Sequence, residues 1–268
     1  MESLICSDQS FQSFESRTIG SFEFVYYTLR SPLKTTPNED ALGFVILDDQ
    51  RLVLMVADGA GGHPKGEEAS KKALESIRDE IVNAEKSKNK DKLRNVILDG
   101  IESANNTLLN DGSGSKTTVT ACEITGAKIR IYQVGDSGAL VCGQKGKLKY
   151  KSLFHSTVGY GVESGLLEED EALQSEHLNE VANIVGDKEM SIEVGPTVDL
   201  DQRDTLFLAT DGVFDNLSTE EITEMVRKGS LQEIAQQIIE YFQHKTEQDP
   251  EGHTIKYDDT TFFIFRSL

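Results

Sequence analysis

Four aspartates stand where an apolar stretch ends or begins. LVLMVADG runs into Asp58, TLFLATDG into Asp211 and IRIYQVGDSG into Asp136, while DDTTFFIF opens with Asp258. Asp-Gly occurs at 58–59, 99–100, 111–112 and 211–212, and as a dipeptide it usually marks only a turn. Context separates the four copies. Asp99 lies inside a helical pattern and Asp111 follows one, whereas Asp58 and Asp211 each terminate a strand-like run. Rigid strands can aim carboxylates from their ends at one point, where ionised groups repel until protons or cations intervene. Hard divalent cations, Mg²⁺ or Mn²⁺, take such all-oxygen surroundings. With Asn38-Glu39-Asp40 added, the carboxylates suffice for two ions. A pair of ions can activate a water and polarise a phosphoryl oxygen.

The elements that must position these groups are legible as periodicities. FEFVYYTLR (22–30), ALGFVILDD (41–49) and RLVLMVADG (51–59) are rich in β-branched and aromatic residues, with DDQR as a tight hairpin turn. Residues 66–85 and 90–110 carry apolar side chains at three- and four-residue spacing, which predicts two amphipathic helices. Short strands follow in KTTVTACEI, AKIRIYQVG, SGALVCG and KLKYKS, then in MSIEVGP, DTLFLATDG and TTFFIFR. Ser218 with Glu221 forms a capping-box signature, and a further helix is expected over 230–246. The first twenty residues are Ser-rich and expected to be loosely held; 154–188 reads as an irregular surface excursion. Hairpin-linked strands with helices in pairs predict an α+β fold of two mainly antiparallel sheets, back to back, with helices outside. No linker divides residues 1–268, so a single domain is expected.

Charge narrows the function. The chain has 27 basic and 46 acidic residues, a net charge of −19, which disfavours nucleic acid and anionic membranes as partners. Cys6, Cys122 and Cys142 form neither a disulfide framework nor a CxxC site. The N-terminal MESLICSDQSFQSFES lacks the basic and apolar segments of a secretory signal, and no apolar run is long enough to span a bilayer. A cytoplasmic protein is expected.

Six motifs occur in order: Asn38-Glu39-Asp40, Val56 through His63 (VADGAGGH), Lys116-Thr117-Thr118, Gly135-Asp136-Ser137, Ala209 through Asp215, and Asp258-Asp259-Thr260-Thr261. Over roughly residues 20–268 the chain thereby resembles the metal-dependent (PPM, or type 2C) protein serine/threonine phosphatases, bacterial members especially. The resemblance implies a four-layer α-β-β-α sandwich and a site for two Mn²⁺ or Mg²⁺ ions. Carried over residue by residue, Asp58 would bridge both ions, with the Gly59 carbonyl and Glu39 on one and Asp211 and Asp258 on the other. Asp136, with Asp215 as a further candidate, matches positions that in some members support a third, weaker ion. The implied reaction is direct attack of a metal-bridging hydroxide on phosphoserine or phosphothreonine, with Asp58 and Asp211 central to catalysis. A phosphoprotein substrate is the implied partner, and a monomer is expected.

The chain departs from the family pattern in four places. Thr35 stands where members commonly carry a phosphate-binding Arg, with Lys34 beside it and Arg30 near; Lys would give a point charge rather than a fork. GDSR reads GDSG at Gly138, GTT reads KTT at Lys116, and Ala60 follows the Asp-Gly where many eukaryotic members have His. Lys34 and His63 are thus the candidates for contacting substrate phosphate. His155, His177, His244 and His253 share no spacing and are read as surface or packing residues. The acidic 165–177 stretch is read as a solvated face, beside the region that forms a flap in this family. The competing reading is a catalytically weak, phosphatase-like module that binds a phosphoprotein or partner in a regulatory switch; a phosphatase dedicated to one regulator is the other alternative.

Overall fold

The computed structural model describes residues 1–87, 92–178, 180–249 and 255–267. A seven-stranded antiparallel sheet contains β1 (Glu2–Ser7), β4 (Asp40–Ile46), β5 (Arg51–Asp58), β6 (Val119–Thr125) and β7 (Lys128–Val134) in that order. The short β10 (Glu193–Val194) and β11 (Val198–Asp199) both pair with β7. The six-stranded sheet runs β2 (Glu15–Ile19), β3 (Phe22–Leu29), β13 (Thr260–Ser267), β12 (Thr205–Ala209), β8 (Gly138–Cys142), β9 (Leu148–Lys151). Helices α1 (Gly66–Lys86) and α2 (Leu93–Asn110) cover the first sheet. Helices α6 (Thr219–Val226) and α7 (Leu231–Gln248) cover the second. Three short helices, α3 (Thr157–Glu163), α4 (Glu169–Leu173) and α5 (Asp211–Phe214), complete the described elements.

The strands are apolar on both faces because both faces are covered. Leu42, Phe44, Leu54 and Val56 point into the space between the sheets, where they meet Phe24, Tyr26, Phe263 and Phe265. Their sequence neighbours Ala41, Val45, Val53 and Met55 face α1 and α2, and Val25, Tyr27, Phe262 and Ile264 face α6 and α7. Strand period two therefore feeds two cores at once. Helix α1 contributes Ala69, Ala73, Leu74, Ile77 and Ile81, spaced as an inward stripe. Gly100 lets α2 cross α1 closely, since a Cβ there would sit 2.8 Å from Ile77 Cα. The capping box at Ser218 and Glu221 is formed, and Ser230 with Glu233 forms a second one at the start of α7.

The four-layer sandwich agrees with the expected fold. The first twenty residues differ from expectation: β1 pairs with β4 and β2 with β3, so each closes an edge of a sheet. Being edge strands, they carry the polar outer residues that make the stretch look loose in sequence. The excursion over 154–188 holds α3 and α4. His253 and residues 90 and 91 of the expected helix lie outside the described residues. Among the described residues no helix is long and apolar enough to cross a membrane.

Candidate metal centre

One end of the sandwich gathers the acidic residues, and register explains how. Asp40, at the start of β4, lies opposite Asp58 at the end of β5. Ala209 at the end of β12 pairs with Gly138 at the start of β8 and with Phe262 near the start of β13. The loops carrying Asp136, Asp211 and Asp258 must then meet. Glu39, Asp58, Gly59, Asp136, Asp211 and Asp258 all line one cleft of about 430 Å³, together with Lys34 and His63. Of the residues singled out from the sequence for chemistry, Asp215 and Arg30 do not line it. Val181 and Ile184 of the excursion form its apolar wall.

The residues beneath the cleft hold its acids in place. Thr118 N donates to Asp58 O at 2.8 Å, and Thr117 Oγ1 donates to the same oxygen at 2.7 Å. In return Asp58 N donates to Thr118 Oγ1 at 3.0 Å, and that hydroxyl bonds Ser137 Oγ at 2.7 Å. Asp259, with a side chain only 1% exposed, accepts from Glu39 N at 2.8 Å and from Ser31 N at 2.7 Å. It therefore sets the Glu39 backbone rather than facing the cleft. Thr210 Oγ1 donates to Asp40 Oδ2 at 2.9 Å.

Three glycines are demanded by close approach. A Cβ on Gly59 would lie 2.3 Å from the carbonyl carbon of Gly66, and one on Gly66 would lie 2.7 Å from Glu39 Oε1. Gly212 is tighter still, at 1.9 Å from the Asp259 carbonyl oxygen. At Gly61 and Gly62 an added Cβ would meet no protein atom within 4 Å, so that stretch is open rather than packed.

Burial and crowding dominate the electrostatics. Burial, then the Asp211 and Asp40 charges, push the Asp58 carboxyl well above the usual carboxylate range. Burial, then Asp258 and Asp215, do the same to Asp211. Burial pushes Asp136 up to about 6, with the Asp258 charge adding to it. Asp40 is pushed up to about 7 by burial and Asp259. Asp215 is also raised to about 7 by burial, although Lys256, 3.4 Å away, offsets part of the rise. Among the described residues, Asp40 Oδ1 and Asp136 Oδ1 are buried with no hydrogen-bond partner.

Orphaned carboxylate oxygens and mutually repelling acids are what a divalent cation would relieve, and an all-oxygen donor set suits Mg²⁺ or Mn²⁺. The residues therefore fit a metal centre in chemistry. Among the described residues no group of three His, Cys, Asp or Glu is already converged as an ion-binding set.

Lys34 Nζ lies 2.6 Å from Asp258 Oδ1, 3.1 Å from Asp259 Oδ2 and 3.2 Å from Glu39 Oε2. Burial alone would lower its pKa, but Asp258 and Asp259 override that and hold it above the ordinary lysine value. Arg30 donates to the Thr36 carbonyl at 3.5 Å and does not line the cleft. His63 is exposed on the cleft wall. His155 is buried but is no mere packing residue. Its Nδ1 accepts from Gly135 N at 3.2 Å and faces Asn183 Nδ2 at 2.9 Å, while Nε2 meets Glu193 Oε2 at 3.0 Å.

The family described as Protein phosphatase 2C matches residues 33–250. A serine/threonine phosphatase stp of Listeria welshimeri is 26% identical over 210 residues, spanning 75% of this chain and 82% of that protein. The crystal structure of serine/threonine phosphatase Stp1 from Staphylococcus aureus superposes with a TM-score of 0.75 at 23% identity, covering 96% of this chain and 99% of that one. The PstP catalytic domain in complex with two manganese ions gives a TM-score of 0.70 at 19% identity, covering 91% and 97% of the two chains.

Proposed function

The chain belongs to the protein phosphatase 2C family, and we propose that it hydrolyses phosphoserine and phosphothreonine in protein substrates using two divalent cations, Mn²⁺ or Mg²⁺. The observation that carries this reading is the meeting of Glu39, Asp58, Asp136, Asp211 and Asp258, from both sheets, in one cleft. A relative named as a serine/threonine phosphatase and a structural neighbour holding two manganese ions support it. When bound, the ions would supply an acidified water able to attack phosphorus directly and positive charge for the phosphoryl oxygens.

The chain's own residues supply position and charge. Asp58, fixed through its backbone by Thr117 and Thr118, is the carboxylate that would serve both ions. Glu39 and the Gly59 carbonyl would hold one ion, and Asp211 and Asp258 the other; Asp136 and Asp215 are the candidates for a third. Gly66 keeps the Glu39 and Gly59 oxygens on a common face because no Cβ stands between them. His63, exposed on the wall, is the group best placed to meet the substrate phosphate, with Lys34 deeper among the carboxylates. Val181 and Ile184 give the excursion a hand in substrate choice. Cys6, Cys122 and Cys142 are unpaired and buried, which suits a reducing cytoplasm and leaves no thiol to act as nucleophile in the cleft. We take the enzyme to act as a monomer.

Turnover of p-nitrophenyl phosphate and a phosphothreonine peptide tests the reading. Mn²⁺ should support it, EDTA should abolish it, and Asp211→Asn should lower kcat/KM by about 100-fold or more, beyond what loss of a supporting residue costs. Turnover indifferent to EDTA and to the substitution would refute the metal mechanism. The engagement of Lys34 by carboxylates favours a second reading, a weak enzyme that mainly binds phosphoprotein. Intact folding and Mn²⁺ binding without turnover would establish that one.

A further inference from the structure

The ammonium of Lys34 is surrounded by carboxylates. Its Nζ lies within 3.2 Å of one oxygen each on Glu39, Asp258 and Asp259. Glu39 begins one sheet's contribution to the cleft and Asp258 the other's, so Lys34 ties the two together. A lysine committed to substrate phosphate would turn its ammonium to the open cleft. Instead the Lys34 side chain, 24% exposed, stands where positive charge is most needed by the acids.

We propose that Lys34 is a tethered internal cation that competes with divalent metal for Glu39 and Asp258. It thereby holds the metal-free cleft together and weakens the protein's affinity for the ions. This rests on the reading of the cleft as a metal centre. The argument is one of shared acceptors. Glu39 Oε2 accepts a charge-assisted hydrogen bond from Lys34 and Asp258 Oδ1 makes its shortest ion pair, contacts among the stronger ones in a folded protein. An ion taking either oxygen as ligand must break that contact. Anything that binds one state and excludes the other trades stability against affinity. A lysine suits such a role because its compact ammonium sits on a flexible stem and can leave.

The test is Mn²⁺ binding and thermal unfolding of the full chain with Lys34→Met, which keeps most of the stem and deletes the charge. Lys34→Arg keeps the charge. Lys116→Met is the control, since Lys116 also lines the cleft but its ammonium is 2.7 Å from Asp187. Lys34→Met is expected to bind Mn²⁺ at least tenfold more tightly than wild type and to melt lower in EDTA, but not in saturating Mn²⁺. Lys34→Arg should stay within about threefold of wild type, and Lys116→Met likewise. If the metal-free variant does not fold, purifying it with Mn²⁺ and titrating against a chelator still gives the affinity. Unchanged or weaker Mn²⁺ binding by Lys34→Met would overturn the proposal. An equal gain in Lys116→Met would also overturn it, by showing a general effect of net charge. A wild-type chain that binds no Mn²⁺ would instead overturn the metal reading, and this proposal with it.

Discussion

Asp136→Asn should make the metal-free protein more stable, not less, above neutral pH. Asp136 is 7% exposed, and among the described residues its Oδ1 has no hydrogen-bond partner. Burial and the Asp258 charge raise its carboxyl from the ordinary 3.8 to about 6, the rise being partly offset by a backbone hydrogen bond and Lys256. The native state therefore holds the proton more tightly than the unfolded chain does. Well below the ordinary 3.8 both states are protonated and the group costs nothing. As pH rises from about 4 to about 6 the unfolded chain ionises first, and the folded state loses stability; above 6 the loss is complete. At about 1.4 kcal/mol for each tenfold change in proton affinity, the loss is roughly 3 kcal/mol.

The amide of the variant imitates the protonated acid and escapes that loss. For a chain of this size, about 2–4 °C of melting temperature accompanies each kcal/mol, so the variant should melt several degrees higher in EDTA at pH 8. At pH 4 the gap should shrink to a small fraction of that. Saturating Mn²⁺ should shrink the gap, because cations neutralise the same cluster. Calorimetry across pH 4–8, with EDTA and with Mn²⁺, measures all of this. A variant less stable than wild type at pH 8 in EDTA, or a gap independent of pH, would refute the reasoning.

The sequence displays the layers and the acids because both are local signals. Doubly covered strands read as unbroken apolar runs, and helices α1 and α2 as stripes. Asp58, Asp136 and Asp211 announce themselves by ending such runs. The supporting residues make no local mark. Thr118 acts on Asp58 from 60 residues away, and Asp259 acts on Glu39 from 220. Thr117 and Asp259 were visible as letters in motifs, but what they do depends on which strand ends the register brings together. Lys34 is the sharpest case: its neighbourhood in sequence suggests a phosphate contact, whereas its partners at Asp258 and Asp259 enter only through β13. The edge strands β1 and β2 were hidden for another reason. A strand covered on one side alone retains polar residues, and ESRTI reads as a loose segment until β3 supplies its ladder.

Two further substitutions probe how the cleft is held. Gly212→Ala places a Cβ about 1.9 Å from the Asp259 carbonyl oxygen, a clash with backbone that no rotamer relieves. It should cost about 1–3 kcal/mol or more, measured by denaturant unfolding, and a variant within 0.5 kcal/mol of wild type would contradict the packing described. His155 asks whether a hydrogen bond or bulk is what counts. Its Nδ1 accepts from the buried Gly135 N–H, next to Asp136, and the same ring reaches Asn183 in the excursion. His155→Leu fills the space but leaves that N–H unpaired, at about 1–3 kcal/mol. His155→Asn can return an acceptor oxygen near the Nδ1 position and should recover part of the loss despite its smaller size. Hydrogen exchange at the Gly135 amide should be fast in the Leu variant and slowed again in the Asn variant. If bulk alone held the turn, the order would reverse, with Leu the more protected and the more stable of the two.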